Sequence, residues 1–259
     1  MKTLKINKKD LEKMRLIGQG FESKIYFFEE NVAFKIFSNS ILQNQAKLES
    51  KKNKVIELSF MEEEAKPKIF SLLYDNNEEF IGYSMEYIQK LYDFEQIFKD
   101  SIIDIKEKIR LYKLLEKEIL TLAEKNIFMV DNNFRNFCID KNEKIRFFDF
   151  DSVTTLRNKT ETYPTYFTDY YFSRFDNLVN YDFVKYTLNL QFLYNIILLT
   201  NPTFDRKILR FYTDEDILLN KILAYFKEDR EFKNCVIYND SDTTISDYIT
   251  PKNYLKIKI

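Results

Sequence analysis

The sequence predicts an α+β chain of two lobes, a small antiparallel β-sheet with one helix followed by a mainly helical part. Two observations carry this expectation. Up to about residue 85, short β-branched and aromatic runs alternate with turns rich in Asn, Asp and Glu, the text of half-buried strands. After residue 90 the apolar residues recur at helical spacing over long stretches, the pattern of helices that bury one broad face.

LIGQG, KIYFFEE and NVAFKIF read as three strands, and the text from IFSLLY to GYSMEYI as two more. FFEENVAF and LLYDNNEEFI supply hairpin turns, with Glu, Asn and Asp set between apolar strands. Residues 42–65 carry a helix-like pattern with Leu48, Val55, Ile56, Phe60 and Met61, whose Lys-rich beginning, KLESKKNK at 47–54, reads as solvated. The order is therefore β-β-β-α-β-β over residues 1–88, with a helical lobe over 89–259. That lobe opens with DIKEKIRLYKLLEKEILTLAEKN at 104–126, whose Ile105, Ile109, Leu111, Leu114, Leu115, Ile119, Leu120 and Leu122 form a face broad enough to bury. A polar loop and a hairpin turning at DKNEK follow in NIFMVDNNFRNFCIDKNEKIRFFDFDSV, residues 126–153, and further helices are expected at 169–180, 182–199 and 215–226.

Composition narrows the chemistry. Hydrophobic residues make up 45% of the 259, with 25 Phe and 18 Tyr, so a large core is available and wholesale disorder is excluded. Lys plus Arg total 40 against 41 for Asp plus Glu, which leaves no global basic field to recruit nucleic acid or an anionic membrane. No His is present, so acid–base work near neutral pH falls to carboxylates, Lys or Tyr, and zinc loses its usual ligands. Cys138 and Cys235 lie in no metal-ligand spacing and read as reduced, buried thiols. The longest apolar run, FLYNIILL at 192–199, is too short for a membrane span and reads as core helix. The start, MKTLKINKKDLEKM, lacks the apolar stretch of an export signal. The expectation is a cytoplasmic protein, with entry into a host cell left open. The vocabulary of Lys, Ile, Asn and Phe points to a low-GC bacterium or its phage.

Four pieces carry chemistry. Of only three glycines, Gly18 and Gly20 sit in LIGQGFESKIYFF, between two strands. Glycine at alternate positions there lets backbone N–H groups approach a phosphate, or simply supplies a hairpin with positive φ. Lys35 interrupts the apolar strand NVAFKIF, either as a buried cation needing a partner or as a snorkelling edge residue. Strand alternation points Ala33, Lys35 and Phe37 to one face. Glu57, amid Val55, Ile56, Leu58 and Phe60, is the helix acid placed to pair with it. Last, Asp131 and Asn136 bracket a loop, and Asp149 and Asp151 follow the hairpin. Asn and Asp oxygens are hard ligands suited to Mg²⁺; the same residues also make Asx turns and strand ends.

Taken in order, these pieces resemble the signature of the protein-kinase-like superfamily. They read Gly18-Gln19-Gly20-Phe21-Glu22-Ser23-Lys24-Ile25, then Val32-Ala33-Phe34-Lys35, then Met129-Val130-Asp131 to Asn136, then Asp149-Phe150-Asp151. The resemblance spans about residues 14–153. It implies Mg-ATP-dependent phosphoryl transfer to a hydroxyl, with a protein Ser/Thr (or Tyr) acceptor ahead of a small molecule. By that resemblance Gly18, Gly20 and Ser23 cover the ATP phosphates, while Lys35 holds two of them and pairs with Glu57. Asp149 and Asn136 bind Mg²⁺, Asp131 orients the substrate hydroxyl, and Arg135 neutralises the transferred phosphate. In YSMEYIQ, Met85 stands as gatekeeper, and the backbones of Glu86 and Ile88 hold adenine.

The chain departs from that pattern in three places. Ser23 replaces the third glycine, and Met129-Val130 replaces the His-Arg before the catalytic Asp, so no activation-loop phosphate would be read. Asp151 replaces the glycine after Asp-Phe and resembles the D-x-D ending of aminoglycoside and choline kinases, which keeps a small-molecule acceptor as the alternative. A substrate-facing loop is expected near Tyr163-Pro164, and Asp182 is expected to begin the helix that anchors the catalytic loop. A binding-only scaffold is the third reading.

Overall fold

The computed structural model describes residues 1–100, 102–103, 105–155 and 179–200. The fold is mixed α+β. Its backbone divides into two units, Met1–Leu91 with Ile139–Asp151, and Tyr92–Cys138 with the described residues from Ser152 onward. The units part at Leu91/Tyr92 where 88/89 was expected, and the segment 139–151 belongs with the first unit.

In the first unit β1 (Lys2–Lys5) and α1 (Lys8–Lys13) precede β2 (Arg15–Gln19), β3 (Ser23–Glu29) and β4 (Val32–Phe37). A short α2 (Asn39–Leu42) and α3 (Gln45–Ser59) then lead to β5 (Ile69–Tyr74) and β6 (Phe80–Glu86). The six strands order as β1-β5-β6-β4-β3-β2. All neighbours are antiparallel except β1, which runs parallel to β5. The strands from β2 to β6, with α3 between the third and fourth, follow the sequence pattern. The first strand does not: all four of its residues are exposed, so it adds to the sheet through main-chain pairing and has no apolar alternation to announce it.

The turns form where the side chains can hold them. The Asp75 carboxylate accepts from the N–H groups of Asn77 and Glu79 at 2.8 and 2.9 Å, an Asx-type closure that supports Glu78 at φ 64°. Asp140 does the same for Asn142 and Lys144. Helix α3 starts at Asn44, whose side chain accepts from the Lys47 N–H and satisfies one of the orphan donors of the first turn.

The sheet buries both faces. Ala33, Phe37, Leu72, Tyr83 and Met85 pack with Val55 of α3 on one side, and Phe34 and Leu73 pack with Ile6 and Leu11 on the other. Each of the Val, Leu, Ile, Phe and Met side chains among them contributes about 1.5–3 kcal/mol on full burial. On α3 the inward stripe is Lys51, Lys54, Val55 and Leu58, at the i, i+3, i+4, i+7 spacing of one helix face. Lys54 is buried and the Lys51 side chain nearly so, which corrects the reading of KLESKKNK as solvated: helical phase, not composition, turns these two inward. Phe60 comes after the helix and is exposed.

The chain continues through β7 (Lys90–Asp93), α4 (Phe94–Lys99), α5 (Ile105–Glu124) and β8 (Ile127–Phe128). Then come β9 (Phe137–Asp140), β10 (Ile145–Phe147), β11 (Thr154–Thr155) and α6 (Tyr181–Thr200). A capping box of Asp93 and Gln96 opens α4. The core of the second unit is aromatic: Tyr112 of α5 stacks on Phe192 of α6 with ring centres 3.9 Å apart, and Phe134 lies 5.0 Å from Phe98. Leu114, expected in the buried face of α5, is exposed, and Tyr112 is fully buried. The expected helix at 182–199 is α6; those at 169–180 and 215–226, the Tyr163-Pro164 loop and Cys235 lie outside the described residues. Cys138 is a buried free thiol. Among the described residues no helix is long and apolar enough to cross a membrane.

Candidate functional site

Strand pairing brings the scarce glycines and Lys35 into one row. Gly18 opposes Ile25, Ile25 opposes Lys35, and Lys35 opposes Tyr83. Directly opposed residues share a sheet face, so Gly18 lies on the Lys35 face, two strands or roughly 10 Å away. Lys35 is buried, and its ammonium donates to Asp149 at 2.6 Å and, in a shorter bond, to Asp151. The Tyr83 hydroxyl, one strand over, donates to the same Asp151 oxygen at 3.0 Å.

Charge is kept inside this cluster by mutual pairing. Burial works to lower the Lys35 pKa, but the Asp149 and Asp151 carboxylates outweigh it and hold the amine well above its ordinary value. Burial likewise pushes Asp151 up, and Lys35 and Lys51 overcome it and carry the carboxyl below its usual range. Tyr83 is pushed well above an ordinary phenol by burial and by the Asp151 charge. All three therefore stay in their pH 7 forms.

The two aspartates of DFD do different jobs. The Asp149 side chain is 42% exposed, that of Asp151 only 1%. Asp151 sends its oxygens to Lys35, Tyr83 and, at 3.5 Å, Lys51, so it is an interior counter-ion. Asp149 is the carboxylate within reach of solvent and of an ion. A Mg²⁺ that keeps water and substrate phosphates as ligands needs one or two protein carboxylates, and Asp149 fits that requirement. Among the described residues no group of three or more acidic or Cys side chains gathers as a metal cage.

Glu57 is not the partner of Lys35. It falls one position off the inward stripe of α3, lies half-buried, and its charge acts on Lys54. Lys51 instead reaches inward, bonding the Glu22 carboxylate at 2.7 Å and facing Asp151. The α3 side chain that reaches the cluster is thus a base, Lys51, where the sequence suggested an acid. The missed residues, Lys51, Tyr83 and Glu22, had one legible signal, the phase of Lys51 with Val55 and Leu58.

The glycine hairpin is real but needs no special backbone. Gly18 and Gly20 both have negative φ, which sets aside the positive-φ explanation. A Cβ at Gly18 would meet Ile25 at an ordinary 3.5 Å, and one at Gly20 would find nothing nearer than 4.0 Å. Gly82 is the opposite case, since a Cβ there would stand 2.1 Å from the Lys35 carbonyl oxygen. The hairpin tip Phe21 is 94% exposed. Ser23 lies buried at the start of β3, and its carbonyl accepts from the Gly20 N–H at 2.9 Å.

At the end of β6, Met85 is buried against Ala33 and Ile69. The Glu86 N–H donates to the Lys68 carbonyl, and its side chain accepts from Arg146 at 2.7 Å, where the guanidinium brings the carboxyl down against the effect of burial. Arg146 also bonds Asp140, fixing this strand end to the β9–β10 hairpin. The Tyr87 N–H donates to Asn31; among the described residues the Ile88 N–H donates to nothing.

In the second unit, Asp131 accepts from the Asn133 N–H, and the Asn136 amide donates to the Asp131 carbonyl at 3.2 Å. The polar loop is thus closed on itself. Asn132 anchors it, donating from a buried position to Thr187 of α6 at 2.8 Å. The anchor helix is therefore the expected one, but Thr187 makes the bond while Asp182 is exposed in the first turn. Arg135 is exposed and bonds Glu95 through two nitrogens at 2.7 and 2.9 Å, so its charge serves α4 rather than standing open.

A cavity of about 1060 Å³ lies elsewhere in the first unit, lined by Leu11, Tyr26, Ile36, Leu48, Tyr74 and Ile81. None of Lys35, Lys51, Tyr83, Asp149 or Asp151 lines it, so this cavity is not part of the charged cluster. Comparison with known proteins gives no match, either to a family model or to a curated protein sequence.

Proposed function

We propose that this chain has a two-lobed protein-kinase-like fold and transfers a phosphoryl group from Mg-ATP to a hydroxyl, with a protein Ser/Thr or Tyr side chain favoured over a small molecule. The observation that carries the reading is the Lys35–Asp149 bond. These two residues are 114 positions apart, and motif order alone singles them out as phosphate-binding cation and metal-binding carboxylate. Two further features support it: the helix inserted between the third and fourth antiparallel strands, and glycines that neither their backbone conformation nor internal packing requires.

ATP supplies the phosphoryl group and Mg²⁺ neutralises its charge. The residues then divide the work of positioning. The backbone at Gly18, Gly20 and Ser23 covers the phosphates, Lys35 holds them, and the Glu86 carbonyl with the Ile88 N–H orients adenine. Asp149 and Asn136 hold the metal, Asp131 takes the hydroxyl proton, and Arg135 would have to leave Glu95 to reach a phosphate. Such catalysis rests on placement and electrostatics and needs no His.

A nucleotide-binding module without turnover is the second reading, favoured by the full engagement of Lys35 with two carboxylates and of Arg135 with Glu95. Magnesium-dependent ATP turnover separates the two. The wild type is expected to label an added acceptor and Asp149→Ala to fall to background. Equal background from both removes the enzyme reading. Arms with generic protein substrates, aminoglycosides and choline decide the acceptor, and label found only in small molecules reverses the stated preference.

A further inference from the structure

Lys51 belongs to no motif, yet it is the second cation of the cluster. Its side chain is mostly buried, and helical phase directs it toward the sheet face that carries Lys35. Two acids hold it, and they are not equivalent. Asp151 stands at 3.5 Å and is already satisfied by Lys35 and Tyr83. Glu22 stands at 2.7 Å, is about one-third exposed, and sits in the turn of the glycine hairpin between Gly20 and Ser23.

The close partner of a buried cation is thus a partly exposed carboxylate carried on the one loop whose glycines leave room for an incoming group. The backbone ties that turn to β4, since the Ser38 N–H donates to the Glu22 carbonyl at 2.8 Å. Exchanging the Glu22 side chain for another anion therefore requires a rotamer change and no movement of the strand. Carboxylate and phosphate oxygens are interchangeable partners for an ammonium.

We infer that Lys51 is a phosphate-binding residue, a second cation beside Lys35 that contacts the polyphosphate of the nucleotide, and that Glu22 occupies its ammonium until the phosphate arrives. This rests on the phosphotransfer reading. It also explains the swap on α3: with Asp151 buried as counter-ion to Lys35, the helix no longer has to supply an acid. Its inward position is then available for a base, and the site carries two fixed positive charges. Lys51 here binds and positions; it takes no part in proton transfer.

The test is equilibrium binding of ATP and of AMP, each with and without Mg²⁺, to the full chain and to Lys51→Met, Lys51→Arg and Glu22→Gln. Loss of one charge-assisted bond is expected to weaken ATP binding by about tenfold in Lys51→Met, while AMP binding stays at the wild-type level. Lys51→Arg is expected to retain ATP affinity, and Glu22→Gln to raise it by about threefold, the worth of a partly exposed ion pair. ATP affinity unchanged in Lys51→Met overturns the inference alone, as does an equal loss of ATP and AMP binding. Should Lys51→Met not fold, Glu22→Gln decides: unchanged or weaker ATP binding overturns the inference. A wild type that binds no ATP overturns the phosphotransfer reading itself, a separate outcome.

Discussion

Asp151 is the residue whose removal the structure makes most costly. Asp151→Asn keeps the shape of the side chain and an acceptor for the Tyr83 hydroxyl but removes the charge facing Lys35 and Lys51. Breaking a buried ion pair by deleting one partner costs about 3–5 kcal/mol. Asp149 remains 2.6 Å from Lys35, so the lower end applies, about 3 kcal/mol, or roughly 6–12 °C in Tm for a chain of this size. Urea denaturation followed by far-UV circular dichroism measures it. The pH dependence supplies an internal check. Because the folded-state pKa of Asp151 is depressed, its contribution is complete above the unfolded value of about 3.9 and is lost as pH falls from there through the folded value. The gap between wild type and variant is therefore expected to be widest at pH 7 and to narrow below about pH 4. Lys35→Met combined with Asp151→Leu is expected to recover part of the loss, since both charges go together. A single variant within about 0.5 kcal/mol of wild type at pH 7, the range of an ordinary surface change, would refute the interior counter-ion role.

Three further outcomes follow. Gly18→Ala and Gly20→Ala, whose added Cβ atoms meet nothing closer than 3.5 Å, are expected to leave Tm unchanged while weakening ATP binding. Gly82→Ala, which would press on the β4 backbone at Lys35, is expected to cost about 3 kcal/mol or more, and a Gly82→Ala protein as stable as wild type refutes that packing. For Lys54, burial and the neighbouring Lys51 charge bring the amine down to about 8. Between that value and the unfolded value of about 10.4 the unfolded chain holds the extra proton, so stability rises with pH across this window. Lys54→Met is expected to be more stable than wild type at pH 7 and to lack that rise, as thermal melts from pH 7 to 10 would register; a less stable variant counts against it.

Sequence pattern by itself determined the strands β2 to β6, the helix between them, α5, α6 and the hairpin after the polar loop, because periodicity and turn chemistry are local properties. It also marked Lys35, since a cation in an apolar strand stands out wherever it occurs, while Asp149 was picked out only by the order of the motifs. Tertiary structure alone decided the pairing. Glu57 stood at a plausible distance in sequence, but one position of helical phase turns a side chain by about 100°, which placed Lys51 and Lys54 inward and Glu57 aside. Burial assigned Asp149 and Asp151 their separate roles, and no local signal distinguishes two aspartates flanking one Phe. Strand β1 was silent for the same reason in reverse: main-chain pairing holds it in the sheet, and main-chain hydrogen bonds leave no trace in side-chain pattern.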